Sequence, residues 1–157
     1  MDNKKCVRRL SNEMRKIEKE PIPNAFVRAD EKNILDWYFV IHGLTDDYTG
    51  GMYLGKISFP PQYPFKAPTL KFITPNGRFE PEKTVCTTFT HYHPEEWSPE
   101  WNTSGMLLGM ISFIYEENET AVGSIKLTSE ERQALAKNSM NFNRKHSKFI
   151  ELFPDLL

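Results

Sequence analysis

The chain has 157 residues, of which 39% are hydrophobic and 26% charged, and a formal net charge of −1. That length suffices for one domain with a buried core, and the near-neutral balance leaves no basic footprint for nucleic acid or anionic lipid. The two cysteines, Cys6 and Cys86, stand far apart, which is no disulfide framework and fits a reducing compartment.

The opening MDNKKCVRRL is charged and lacks the apolar centre of a secretory signal. From Asn3 to Lys19 the spacing predicts an amphipathic helix, with Val7, Leu10, Met14 and Ile17 on one face and charged residues elsewhere. Cys6 lies at the edge of that stripe and reads as a small packing residue. Pro21 and Pro23 end the helix. Strands are predicted at Ala25 to Arg28, Ile34 to Leu44, Met52 to Phe59 and Thr69 to Thr74, with a turn over Thr45 to Gly51. In the second strand Trp37, Phe39 and Ile41 alternate with Asp36, Tyr38 and His42, so one face should be apolar and the other polar, and His42 reads as structural. The short connections suggest an antiparallel meander.

Between the last two strands lies PPQYPFKAP, too dense in proline for a sheet interior and therefore an extended, rigid loop. Phe65 in it is either exposed or folded back into the core. The segment from Asn76 to Ser98 has little regular pattern, and a long irregular stretch in a small domain is usually functional or disordered. Thr103 or Ser104 can cap the next helix, whose Met106, Leu107, Leu108, Met110, Ile111, Phe113 and Ile114 are apolar nearly all round, the pattern of a buried helix. The apolar run Met106 to Tyr115 is shorter than the roughly 20 residues that span a bilayer. After the acidic loop Glu116 to Gly123, Thr128-Ser129-Glu130-Glu131 is a capping box opening a helix to about Phe142. Lys145 to Phe153 continues it or forms a separate last turn, stopped by Pro154.

Cys86 follows Val85 in the irregular segment, with Asn76 upstream and Trp97-Ser98-Pro99 downstream. A cysteine on a loop with a side-chain amide nearby has the parts for thiol-based acyl transfer: the thiolate attacks, and the amide steadies an oxyanion or the loop itself. The order of Tyr63-Pro64-Phe65 with Pro68, then Thr74-Pro75-Asn76, then Val85-Cys86, then Trp97-Ser98-Pro99 resembles the core of a ubiquitin-conjugating enzyme over nearly the whole chain. Thr-Pro-Asn-Gly-Arg-Phe and the later His-Pro-Glu-x-Trp resemble the branch of that family that is tail-anchored at the endoplasmic reticulum and serves protein quality control.

The resemblance implies an α+β domain covering residues 1–157: an N-terminal helix, a four-stranded antiparallel sheet, a buried crossing helix and C-terminal helices. It implies that Cys86 takes ubiquitin as a thioester from an activating enzyme, which spends the ATP, and passes it to a substrate lysine, or to a serine or threonine hydroxyl, with a RING-type ligase. No cofactor and no metal are expected, and a membrane is expected only through a tail beyond Leu157, on the cytoplasmic face. Lys4, Lys5, Arg8 and Arg9 on the first helix, with Pro64, Phe65, Ser98 and Pro99, are the implied surface for activating enzyme and ligase. A solvated face is the plain alternative for the basic cluster.

This chain departs from the family pattern in three places. Thr74 stands where the family has a histidine usually read as structural, which bears on loop geometry. The span from Asn76 to Cys86 is longer than usual. Where most of the family has an acid that orients the incoming amine, Ala121 falls nearest, with Glu116, Glu117 and Glu119 just before it. His91 and His93 are therefore candidates to assist the acceptor, since neutral imidazoles can take a proton. The alternative is that both only shape the turn at Pro94. Cys86, His91 and His93 lack a fourth ligand and so fall short of a zinc site. A non-catalytic ubiquitin-binding scaffold of the same fold is the competing reading, and its mark would be the loss of the cysteine that is present here.

Overall fold

The computed structural model describes residues 3–85, 97–116 and 123–157. Helix α1, Lys4–Lys19, starts one residue after Asn3 and buries Cys6, Leu10, Glu13 and Ile17. The buried stripe is thus rotated from the one expected: Val7 and Met14 flank it half-buried, and a glutamate lies inside it. A carboxylate tolerates that position only when hydrogen-bonded. Glu13 accepts from Arg9 Nε at 2.9 Å, from the backbone N–H of Thr103 at 2.7 Å and from the Tyr63 hydroxyl.

Four strands follow, β1 Ala25–Asp30, β2 Asn33–Ile41, β3 Tyr53–Ser58 and β4 Thr69–Phe72, paired in sequence order as an antiparallel meander. The expected inward set of β2, Trp37, Phe39 and Ile41, is fully buried. Gly55 is opposite Phe39, and a Cβ there would come within 2.0 Å of the phenyl ring, so the bare backbone is what lets Phe39 lie across the sheet.

The outward face corrects the expected alternation. Tyr38, Val40, Leu54 and Ile73 form a second apolar cluster, closed by Phe149 and Phe153 from the chain's C-terminal end. A sheet covered on both faces no longer alternates cleanly, which is why β2 reads half-polar yet is buried throughout its second half. His42, as expected, is structural: its ring stacks on Phe26 with centroids 4.3 Å apart.

Helix α2, Thr103–Ile114, lies on the first core with Met106, Leu107, Met110 and Ile114 inward. Its N-cap is Asn102, whose side chain accepts from Gly105 N–H at 2.8 Å, in place of Thr103 or Ser104. Nor is the helix buried all round, since Leu108 is 45% exposed. Helix α3, Ser129–Asn143, opens with the predicted capping box between Thr128 and Glu131. Helix α4, Ser147–Leu152, is separate from it and is followed by a 3-10 turn, Pro154–Leu156. This last segment straps the outer face of the sheet. Arg28 of β1 pairs with Asp155 and caps Leu152, and Lys148 bridges Asp30 and Glu151. Among the described residues no helix is long and apolar enough to cross a membrane.

Candidate active site

The loop after β4 is fixed residue by residue. Thr74 is fully buried; its hydroxyl accepts from Leu54 N–H at 2.9 Å and donates to Asn143 Oδ1 at 2.6 Å. Asn143 in turn donates to Met52 O at 2.8 Å, and Ser139 accepts from Met52 N–H at 3.0 Å. Threonine therefore ties the loop to α3 and β3, a structural task of the kind expected for this position.

Asn76, also buried, folds its carboxamide back on the chain. Its Oδ1 accepts from Arg78 N–H at 2.9 Å and Phe79 N–H at 2.8 Å, and its Nδ2 donates to Thr74 O at 3.0 Å. Of the two roles open for this amide, bracing the loop is the one these bonds perform. Gly77 follows at φ +81°, left-handed backbone that suits glycine, and a Cβ there would meet Arg132 Cγ at 2.7 Å.

From Glu80 onward the chain returns along the edge of the sheet. Glu82 N–H donates to Phe72 O at 2.7 Å, Thr84 bridges Lys71, and Val85 N–H donates to Leu70 O at 2.9 Å. Val85 is fully buried, so the residue before Cys86 is anchored against β4. Cys86, His91 and His93 lie outside the described residues, as do Glu117, Glu119 and Ala121; Glu116 is exposed at the end of α2.

The two proline-bearing loops meet beside α1. Phe65 is 68% exposed, so it does not fold back into the core. Pro64 is itself buried, which corrects its place among the presented residues: its carbonyl accepts from Trp97 Nε1–H at 2.6 Å. Pro99 is exposed and Ser98 half-buried, with its hydroxyl accepting from Glu100 N–H at 3.3 Å. Lys4, Lys5 and Arg8 are exposed, whereas Arg9 is committed to the fold, donating to Glu13 and to Trp101 O at 2.8 Å. An open groove of about 510 Å³ runs between them, lined by Lys5, Cys6, Gln62, Tyr63, Phe65 and Lys66.

Cys6 contributes no nucleophile to that groove. It is 1% exposed, its Sγ–H donates to Pro60 O at 3.6 Å, and burial, with Glu13 nearby, pushes its thiol above the ordinary value. A thiol held protonated is unreactive.

Glu13, Arg78, Arg132 and Asn143 also hold the site together, although Glu13, Arg132 and Asn143 belong to no motif of the sequence. Arg78 alone carries a signal in the sequence, as an arginine directly after the turn-forming Asn76-Gly77 and before the aromatic Phe79.

The architecture is that of the ubiquitin-conjugating fold, a helix, a four-stranded meander, a crossing helix and C-terminal helices. The solved human ubiquitin-conjugating enzyme E2 G1 is similar to it with TM-score 0.65 and 25% identity, over 74% of this chain and 98% of that one. A family model described as ubiquitin-conjugating enzyme matches residues 9–150. The chain belongs to the ubiquitin-conjugating enzyme family. A ubiquitin-conjugating enzyme E2 J2-like protein of Dictyostelium discoideum is 46% identical over 154 residues, covering 98% of this chain and 90% of that protein. Ubiquitin-conjugating enzyme E2 34 of Arabidopsis thaliana is 42% identical, and E2 J2 of Homo sapiens 39%. The chain spans 65% of the length of the former and 59% of the latter.

Proposed function

We propose that this enzyme accepts ubiquitin from an activating enzyme as a thioester on Cys86 and, with a RING-type ligase, passes it to a lysine amine or a hydroxyl of a protein substrate. The observation that carries the assignment is the state of the other cysteine. Cys6 is buried with a raised thiol pKa, which leaves Cys86, the residue after the anchored Val85, as the thiol for the chemistry of this family. In charging, the Cys86 thiolate attacks the activating enzyme's thioester, a new C–S bond forms, and the activating enzyme's thiolate leaves. In discharge, an acceptor amine or hydroxyl attacks the same carbonyl carbon, loses its proton, and releases the Cys86 thiolate. Asn76 braces its own turn, in our reading in support of this chemistry, and His91 or His93 takes the acceptor's proton. Lys4, Lys5, Arg8, Phe65, Ser98 and Pro99 form the docking face for activating enzyme and ligase. The resemblance to the tail-anchored branch supports a place at the cytoplasmic face of the endoplasmic reticulum, in degradation of its misfolded proteins.

The test is incubation with activating enzyme, ATP and ubiquitin, followed by gels with and without reductant. A reductant-sensitive adduct is expected for the native chain and for Cys6→Ala, and none for Cys86→Ala. An adduct that survives reductant, or full charging without Cys86, would overturn the assignment.

A further inference from the structure

We propose that Arg78 is a positioning residue for the discharge step, holding the Asn76 turn in fixed relation to the end of α2. The inference rests on the thioester reading above and deepens it. Arg78 is 2% exposed, and its guanidinium is spent on the turn after α2. Nε donates to Ile114 O at 3.1 Å, and Nη2 to Glu116 O at 2.6 Å and Phe113 O at 3.5 Å. Ile114 O closes the helix and Glu116 O lies just past it, at a C-terminus where the dipole favours a cation. Nη1 donates to Ser124 Oγ at 2.9 Å, and the plane rests over the rings of Phe79 and Phe113 at 4.6 and 5.1 Å.

The backbone of the same residue faces the other way. Its N–H is held by Asn76 Oδ1 at 2.9 Å, and its carbonyl accepts from Ile125 N–H at 3.0 Å. One residue thus joins three parts of the site: the Asn76 carboxamide, the exit of α2 at Glu116, and the returning chain at Ser124 and Ile125. Arg132, from α3, grips the adjoining peptide by donating from Nε to Gly77 O at 2.8 Å. The two arginines hold the turn from α2 and from α3, so the turn cannot shift toward either helix without breaking a buried charge-assisted bond.

Arginine suits this task where lysine does not. The planar fork reaches several carbonyls at set angles, whereas an ammonium is a point charge on a flexible stem. Group transfer is sensitive to such placement, since an error of about 1 Å can cost on the order of 100-fold in rate. Charging draws on the docking face at α1, at another element of the fold, so it should tolerate a looser turn better than discharge does.

The experiment uses pre-charged enzyme and follows single-turnover discharge to free lysine, a rate constant that does not depend on the folded fraction. For Arg78→Lys, charging within twofold of the native chain and discharge slower by about tenfold are expected. Ser124→Ala removes one contact of the guanidinium and is chosen to fold whatever Arg78→Lys does; its discharge should slow by about threefold. The proposal is overturned if both variants discharge at the native rate, or if charging and discharge fall together. If Arg78→Lys does not fold, Ser124→Ala alone decides. A native chain that never charges would instead overturn the thioester reading, before any variant is compared.

Discussion

Trp97 donates its indole N–H to the carbonyl of Pro64 at 2.6 Å, and through that bond the two proline-bearing loops share one surface. Tyr63 approaches the same indole from below at 6.1 Å between ring centroids, and Trp101 meets it edge-on at 5.4 Å. Glu13 fastens the assembly to α1 by accepting from the Tyr63 hydroxyl and from the first amide of α2. Phe65 projects from this frame with little support, and a rigidly mounted exposed aromatic is the usual anchor of a protein interface.

Phe65→Ala should therefore leave folding alone. The melting temperature and the rate of charging should match the native chain. Ligase-stimulated discharge should fall by the equivalent of about 2 kcal/mol, the cost typical of losing an interface anchor. Equal losses in charging and stimulated discharge would show that the activating enzyme leans on Phe65 as heavily as the ligase does.

Trp97→Phe tests the frame behind that anchor. The substitution keeps an aromatic ring between Tyr63 and Trp101 but strips the buried Pro64 carbonyl of its donor. A cost of about 1 kcal/mol in urea unfolding is expected, together with weaker ligase stimulation although Trp97 is only half-buried. Unchanged stability would mean that the carbonyl finds another donor, and the coupling of the two loops would then rest on packing.

Thr74→Val removes a hydroxyl at constant shape, leaving Leu54 N–H and Asn143 Oδ1 facing an apolar group in the interior. About 2 kcal/mol of stability should be lost, the range for stranding buried polar groups, and Thr74→Ser should recover most of it. Combined with Asn143→Ala, the losses should fall short of additive, because the two residues share one bond. Additive losses in the urea curves would show that the loop is held to α3 by other contacts.

What the sequence disclosed and what it withheld divide along physical lines. The meander, the capping box at Thr128 and the rigid proline loop rest on local rules of alternation, capping and proline stiffness, so they could be read directly, whereas the exposure of Phe65 within that loop could not. The rotated stripe of α1 could not: only the folded chain shows that Tyr63 and Thr103 arrive to satisfy Glu13, and a lone glutamate beside apolar residues reads as surface. The outer face of β2 failed for the same reason, since nothing local to Tyr38 and Val40 announces that Phe149 and Phe153 will cover them. The motif around Asn76 was legible as a turn with an amide, while its bracing by Thr74, Arg78 and Arg132 depends on partners up to 69 positions away.

The strap over the outer face of the sheet should open in acid in two stages. His146 accepts from Lys148 N–H at 3.2 Å through Nδ1 at the start of α4, so it must stay neutral there. Burial lowers its pKa below the ordinary 6.5, with Glu82 pulling it up and Lys71 pushing it down by smaller amounts. A group whose folded pKa is lowered binds fewer protons folded than open, so stability falls as pH drops below the ordinary value. That is the upper stage, beginning near pH 6.5. The carboxyls supply the lower one. Asp155, hydrogen-bonded to Arg28, is held down at about 2 against an ordinary 3.8, and Asp30 is held below its ordinary value by Lys148 and the Lys32 amide. Their contribution is complete above pH 3.8 and is lost as pH falls toward about 2. Hydrogen exchange at the amides of Ile150 and Phe153, which donate to His146 O and Phe149 O, reports the opening. Exchange corrected for its intrinsic pH dependence should rise in both windows. His146→Gln should remove the upper rise alone, and Asp155→Asn should raise exchange at neutral pH and shrink the lower step. A strap whose protection is flat from pH 7 to pH 4.5 in the native chain would show that apolar burial of Phe149 and Phe153, not the state of His146, sets its stability there.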